Sequence, residues 1–295
     1  MFGSSLHAVL SSSAALIAVA MLVAWVWSVA RKDAGVVDLF WGLGFALVAW
    51  SSYLSGEAQG PRRLLVPVLV TVWGLRLSLY LAWRNLIVGL HPGGDLGEKE
   101  DRRYRTMRRA AGPRFWWLSL FTVFGLQGVL LWFISLPLQV VQAIPGRTNL
   151  SWVDYLGVLM VAVGLLFETI GDWQLASFRL NPGSHGEVLN SGLWRYSRHP
   201  NYFGDFLVWW GFFVVAASSG PGVWVTAVAP LLMTVLLVKV SGVVLTERNM
   251  VDRRPRYREY VEATSVFVPW LPRRRVAGHE SSRKTRAGSG RTAEA

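Results

Sequence analysis

The residues best suited to chemistry lie in one run, Arg195-Tyr196-Ser197-Arg198-His199-Pro200-Asn201-Tyr202-Phe203-Gly204-Asp205. Proline lacks the N–H that would go unpaired in the first turn of a helix, so Pro200 predicts a helix beginning there. Its positive end, flanked by Arg195, Arg198 and His199, would be an anion site. Free backbone N–H groups, the helix dipole and two guanidinium groups suit a phosphate or pyrophosphate. Asn201 and Tyr202 add a neutral donor and acceptor and a ring, and Tyr196 stands beside them. Upstream, Glu168 and Asp172 are four residues apart and share a helix face, with Arg179 beyond them. A carboxylate at membrane depth is expensive, which makes Glu168 and Asp205 functional candidates. A purely structural pair, capping or bridging to an arginine, is the competing reading. Glu247 and Tyr257 complete the set in a basic segment that also carries Arg248, Arg253, Arg254, Arg256, Arg258 and Tyr260.

The elements that must position these residues are membrane spans. Of 295 residues, 52% are hydrophobic and 16% charged, and the mean hydropathy is +0.34. A soluble domain would carry roughly a quarter charged residues, and a disordered chain would lack the 16 Trp, 14 Phe and 8 Tyr. The net charge of +12 does not indicate nucleic acid, because the basic residues sit between long apolar runs and not on one wettable face. Seven uncharged or nearly uncharged windows approach the 20 or so residues a helix needs to cross the hydrocarbon: 8–30, 36–54, 64–83, 115–137, 152–171, 202–217 and 222–246. Sorting Lys and Arg by loop puts 25 on one side and 3 on the other. By the positive-inside rule this predicts an all-α polytopic protein of the cell (inner) membrane, N-terminus outside and C-terminus cytoplasmic. The first run has no Lys or Arg before it and two just after, the reverse of a cleaved signal. Residues 257–272 suggest an amphipathic helix folding back beneath the membrane, and 273–295 a disordered basic tail.

Several chemistries are excluded or unsupported. The chain has no Cys, hence no disulfide, thiolate nucleophile or Cys-ligated metal. Neither a Walker loop nor a G-x-G-x-x-G between strand and helix is present. The five His residues, at 7, 91, 185, 199 and 279, lack metal-like spacing, so no metal is expected.

The run from Glu168 through Asp172, Arg179, Pro182-Gly183 and Gly192-Leu193-Trp194 to Arg198-His199-Pro200-Asn201-Tyr202-Phe203-Gly204-Asp205, with Glu247 and Tyr257, resembles the C-terminal half of the steroid 5-alpha-reductase and sterol-reductase superfamily. It looks most like a bacterial branch of multi-pass members, domain of unknown function 1295. That branch is also matched by Asp38-x-x-Trp41-Gly42, Glu100-Asp101-x-Arg103-Tyr104 and Leu126-Gln127-Gly128. The Arg-His-Pro-Asn-Tyr stretch is similar to isoprenylcysteine carboxyl methyltransferases as well. The resemblance implies a substrate-side half over 1–140, a cofactor-binding half over 141–272, and NADPH held by Glu168, Asp172, Arg179, Arg195, Tyr196, Arg198, His199, Asn201, Tyr202, Asp205, Glu247 and Tyr257.

On that resemblance the expected reaction is NADPH-dependent reduction of a carbon–carbon double bond in a lipid, of steroid, terpenoid or fatty-acyl type. Asp38 and Tyr80 take the catalytic places by their positions in the second and third spans. Tyr80 would hydrogen-bond an activating carbonyl or supply the proton, Asp38 would support it, and Arg76, one turn away, would hold the tyrosine or reach the cofactor. Two other classes stay open. Methyl transfer from S-adenosylmethionine would use the same pocket but leave the Arg179, Arg195 and Arg198 cluster poorly explained. A non-enzymatic lipid-binding or transport protein would leave Glu168, Asp205 and Asn201 without a role.

Overall fold

The computed structural model describes residues 2–89, 100–184, 186–240, 247 and 256–273. Its helices are α1 (Phe2–Arg31), α2 (Val36–Ser55), α3 (Arg62–Ala82), α4 (Arg102–Ala111), α5 (Phe115–Ser119), α6 (Leu126–Ile134), α7 (Leu136–Ala143), α8 (Trp152–Leu180), α9 (Pro200–Ala217), α10 (Val228–Val235) and α11 (Tyr257–Ala263). The described residues form no strand, only one isolated bridge between Ser197 and Ser265. The protein is an all-α, multi-pass membrane protein.

Six helical stretches are long and apolar enough to cross a membrane: Ser5–Arg31, Val36–Ser55, Arg62–Leu86, Arg102–Ile134, Trp152–Leu180 and Pro221–Val240. The expected sixth span, now α9, falls outside this set because Asn201, Tyr202 and Asp205 lower the apolar character of its first turns. It nevertheless crosses the same height as its neighbour. Asn201 at its start bonds Asp172 of α8 at 3.0 Å, and Ser218 just past its end bonds Asp154 of α8 at 2.5 Å. Eighteen residues of α8 separate those partners, about 27 Å, close to the hydrocarbon thickness of about 30 Å. The expected fourth window also changes: its helix begins at Arg102, and the chain breaks at Ser135 into the separate, buried α7. The fifth runs on to Leu180, nine residues past its expected end, which carries Asp172 and Arg179 within one rigid rod. Residues 241–246 of the expected last span and the tail from 274 lie outside the described residues. In place of an amphipathic helix over 257–272 there is only the seven-residue α11 followed by extended chain.

Between apolar helices in lipid, burial from water supplies little attraction, so close backbone approach and interhelical polar contacts do the work. On α8 glycines recur every seventh residue, at 157, 164 and 171. A Cβ on Gly164 would lie 2.6 Å from the carbonyl oxygen of Gly204 on α9, and one on Gly157 would lie 2.9 Å from that of Gly211. Gly42 of α2 and Gly74 of α3 meet in the same way, each Cβ position 2.4 Å from the other's carbonyl oxygen. Behind these contacts, Phe45 of α2, Trp73 of α3 and Trp209 and Phe212 of α9 form a buried aromatic core with ring centroids 4.5–6.1 Å apart.

One end of the bundle is closed by a buried ion pair. Arg62 donates to both carboxylate oxygens of Asp154, at 2.7 and 2.9 Å, and to the carbonyls of Arg147 and Asn149. Asp154 also accepts from the backbone of Ser151, capping α8, and from Ser218. The other end carries the candidate residues.

Because Gly164 meets backbone on α9 whereas Gly171 meets Asn201 only at 3.2 Å or more, their substitutions should rank clearly. Gly164→Ala should cost about 1–3 kcal/mol, the usual penalty of overpacking, and Gly171→Ala less. Thermal unfolding of the detergent-solubilised variants measures the order.

Candidate functional site

The site is built around Arg76, which α3 carries into the bundle at bilayer depth. Its guanidinium fork spans two carboxylates one turn apart on α8: Nη1 donates to Glu168 Oε2 at 2.6 Å and Nη2 to Asp172 Oδ2 at 2.5 Å. The remaining oxygens are met from two other directions. The indole N–H of Trp73 donates to Glu168 Oε1 at 3.1 Å, and the amide of Asn201 donates to Asp172 Oδ1 at 3.0 Å. Glu168 and Asp172 are buried, as is the Trp73 ring. All four carboxylate oxygens are therefore bonded, as buried charges require.

Asp205 stands one turn below Asn201, just past the glycine that lies against Glu168. It takes no share of the fork. Its Oδ1 is shut away without a hydrogen-bond partner, and so is the indole N–H of Trp209 one turn further on. Three carboxyl groups thus gather around one guanidinium. Tyr80, on the next turn of α3 after Arg76, donates from its hydroxyl to the backbone carbonyl of Asp172 at 3.4 Å. The guanidinium groups of Arg76 and Arg84 flank its ring at 5.6 and 5.7 Å, and Arg179 acts on it electrostatically.

A second group lies on the basic side, at the entrance to α9. His199 Nε2 is 2.8 Å from Glu247 Oε1, and its ring stacks on that of Tyr202 with centroids 5.3 Å apart. Arg198 Nε lies 3.2 Å from the same oxygen. Arg198 is only 6% exposed, and its Nη1 is buried without a hydrogen-bond partner among the described residues. Burial alone would raise the Glu247 carboxyl, but the His199 hydrogen bond, the charges of Arg198 and His199 and a bond from Tyr257 hold it below its ordinary 4.5. Tyr260 of α11 is buried and donates to the carbonyl of Trp194 at 2.6 Å; that burial pushes its phenol well up. Arg195 and Tyr196 are exposed beside this group.

Three expectations change. Asp38 does not support Tyr80. It accepts from Tyr104 at 2.7 Å and from Arg103 at 3.1 Å, and Gln127 in turn donates to Tyr104 at 3.1 Å. The reason is the α1–α2 turn, which is drawn to the start of α4 by the bond from Ala34 N–H to Glu100 and by the Glu100–Arg108 ion pair. Next, the start of α9 does not offer a row of free N–H groups. Tyr202 N–H is taken by the Asn201 side chain, and Asn201 in turn faces Asp172, so the protein's own carboxylate occupies part of the positive helix end. Finally, the expected residues divide into two tiers, with Arg76, Tyr80, Glu168, Asp172, Asn201 and Asp205 within the bundle and Arg198, His199, Tyr202, Glu247 and Tyr257 above it. Trp73 was missing from the expected set because an indole in an apolar window carries no signal of its own. Its register, three residues before Arg76, is the only clue. Among the described residues no group of three or more His, Asp or Glu is arranged to hold a metal.

Removing Arg76 would strand two buried carboxylates facing each other. Arg76→Met should therefore cost about 3–5 kcal/mol in thermal unfolding, with Arg76→Lys recovering part of the loss. The Glu247 contacts give a pH signature of known sign. A carboxylate held below its unfolded value of 4.5 contributes fully above that pH and loses its contribution as pH falls through the lowered value. Melting temperature measured down a pH series should fall more steeply in the wild type than in Glu247→Gln over that acid limb, and the two curves should run parallel above it.

Comparisons with known proteins agree with this picture of a helical membrane protein without assigning its chemistry. An uncharacterized protein of the fission yeast Schizosaccharomyces pombe is 24% identical over 273 residues, covering 84% of this chain and 76% of its own length. No solved structure matches. A family model matches residues 24–264, which take in every helix from α2 to α11 and both tiers of the site; the chain belongs to the family described as Protein of unknown function (DUF1295).

Proposed function

We propose that the protein is a membrane-embedded reductase that uses NADPH to saturate a carbon–carbon double bond in a lipid. The observation that carries this reading is the two-tier site. A charged, hydrogen-bonded pocket at bilayer depth lies directly beneath a buried arginine whose Nη1 has no partner. A buried guanidinium with an unmet donor is suited to a phosphate oxygen. Arg198 would hold phosphate, with Arg195 at the rim and Tyr202, already stacked on His199, presenting a flat surface. Asn201 and Asp172 would meet polar groups at the passage between the tiers. NADPH, when bound, would supply the hydride.

The protein's own part is orientation, exclusion of water and the proton. Tyr80 carries the phenol best placed for proton donation, because its hydroxyl lies at Asp172 and its ring is flanked by Arg76 and Arg84. A positioned general acid of this kind contributes roughly 10²–10⁴ in rate. Asp38 has no part in this step, since its carboxylate serves Tyr104 and Arg103. Arg76 positions the carboxylates around which the tyrosine is set. The apolar faces of the bundle would admit the lipid.

The test is binding by the full chain in detergent, read as a melting shift with NADPH, NADH and S-adenosylmethionine. NADPH should raise the melting temperature, by the equivalent of about 2.7 kcal/mol at a hundredfold excess over its Kd. Arg198→Ala and Asn201→Ala should remove that shift. A shift produced by S-adenosylmethionine alone would replace reduction with methyl transfer.

A further inference from the structure

The chain after α11 does not leave the molecule. Residues 265–270 run extended across the entrance to α9 and are bolted to it by backbone. Arg198 N–H donates to the carbonyl of Ser265 at 2.9 Å, Ser197 Oγ to that of Phe267 at 2.7 Å, and Trp270 N–H to that of Tyr196 at 3.0 Å. Arg273 N–H then returns to the carbonyl of Ala263 at 2.9 Å, closing the segment into a loop.

Side chains of an extended segment alternate between faces, and here the alternation divides inside from outside. Phe267 points inward, its ring 5.9 Å from that of Phe203 and 5.6 Å from that of Phe206. Phe206 lies six residues into α9, about 9 Å below its start, so the inward ring is sunk beneath the end of the helix. The outward side chains are apolar and bare: Val266 is 42% exposed, Val268 54%, Trp270 72% and Leu271 75%. Such a stripe would be costly in water. Beside it Arg195, Arg258 and Arg273 are exposed, on the side of the bundle with most of the positive charge.

We propose that residues 265–271 form a lipid-held strap. The outward side chains insert into the headgroup region of the leaflet on the basic side, the neighbouring arginines meet its anionic headgroups, and this hold keeps the Arg198 backbone against the strap. The bilayer is the occupant, and not another protein, for three reasons. The segment descends along a helix that crosses the membrane, it ends in a tryptophan at interfacial depth, and it is rimmed by arginine. The proposal is independent of the reductase reading, since it concerns neither cofactor nor substrate.

The lack of native cysteine makes the test direct. Val268→Cys and, as an aqueous control, Arg258→Cys are labelled with an environment-sensitive fluorophore in the full chain in nanodiscs containing anionic lipid. The label at 268 should emit to the blue of the control, be several-fold less accessible to iodide and be quenched by nitroxide lipids. Equal iodide access at the two positions would overturn the insertion. Hydrogen exchange on otherwise wild-type protein and on Trp270→Glu/Leu271→Glu supplies the second measurement. The amide of Arg198 should exchange several-fold faster in the double variant in nanodiscs, and unchanged exchange would overturn the coupling to Arg198. Replacing the anionic lipid by zwitterionic lipid should reduce the protection of the label at 268, and undiminished protection would overturn the role given to the arginines.

Discussion

The fork of Arg76 is the interaction on which the rest of the site depends. A charge placed in a low-dielectric interior is costly unless its partners are fixed and complete. Here one guanidinium from α3 ties two carboxylates of α8, and the two oxygens it leaves are met by Trp73 of α3 and Asn201 of α9. The cluster therefore dictates the relative height of three helices. It also explains why the aromatic core lies where it does: Trp73 is wedged among Phe45, Trp209 and Phe212, and that wedging points its N–H at Glu168. What the fork does not reach is as informative. Asp205 is a third carboxyl in the same neighbourhood with no such partner for its buried oxygen, so the pocket has acceptor capacity left over for a guest that can donate.

A polar cluster of this kind is only as accurate as the helices that present it. The glycines of α8 and α9 let two backbones approach until carbonyl oxygens lie where a methyl group would otherwise sit. Such contact admits little sliding, because a shift of one residue would bring a bulky side chain into the crossing. The vertical register that sets Asn201 opposite Asp172 is thus a property of the glycine spacing, and the hydrogen bond reports it more than it creates it. The same logic applies between α2 and α3 at Gly42 and Gly74, one turn below Ser78, whose hydroxyl donates to the carbonyl of Leu39 at 2.8 Å.

Much of this was legible in the sequence. Long apolar windows and the sidedness of Lys and Arg are one-dimensional signals, and they carry the all-α, multi-pass architecture. The pairing of Glu168 with Asp172 is equally local, since four residues make one turn. Which cation would meet them is not local. Arg76 lies 92 residues from Glu168, and only the packing of α3 against α8 and α9 brings them together. The assignment of Asp38 to Tyr80 failed for the same reason in reverse. Both occupy suitable positions along their spans, but the rotation of α2 is set by the Ala34–Glu100 and Tyr104–Asp38 bonds, which turn the carboxylate toward α4. The start of α9 was read correctly from Pro200, whereas the capping of its amides by Asn201 depends on a rotamer that composition does not encode.

The Arg62–Asp154 closure has a consequence for transport across the membrane. At that end the guanidinium, the carboxylate, two loop carbonyls and a serine saturate one another, with Arg62 and Asp154 almost wholly buried. Opening a polar route there would mean breaking all of these bonds together, with no replacement partner in hydrocarbon. The polar interior is therefore a blind well and not a conduit. Whatever water-soluble molecule reaches Arg76 enters and leaves through one compartment, and the chemistry at the bottom of the well runs without vectorial passage of solute through the bundle.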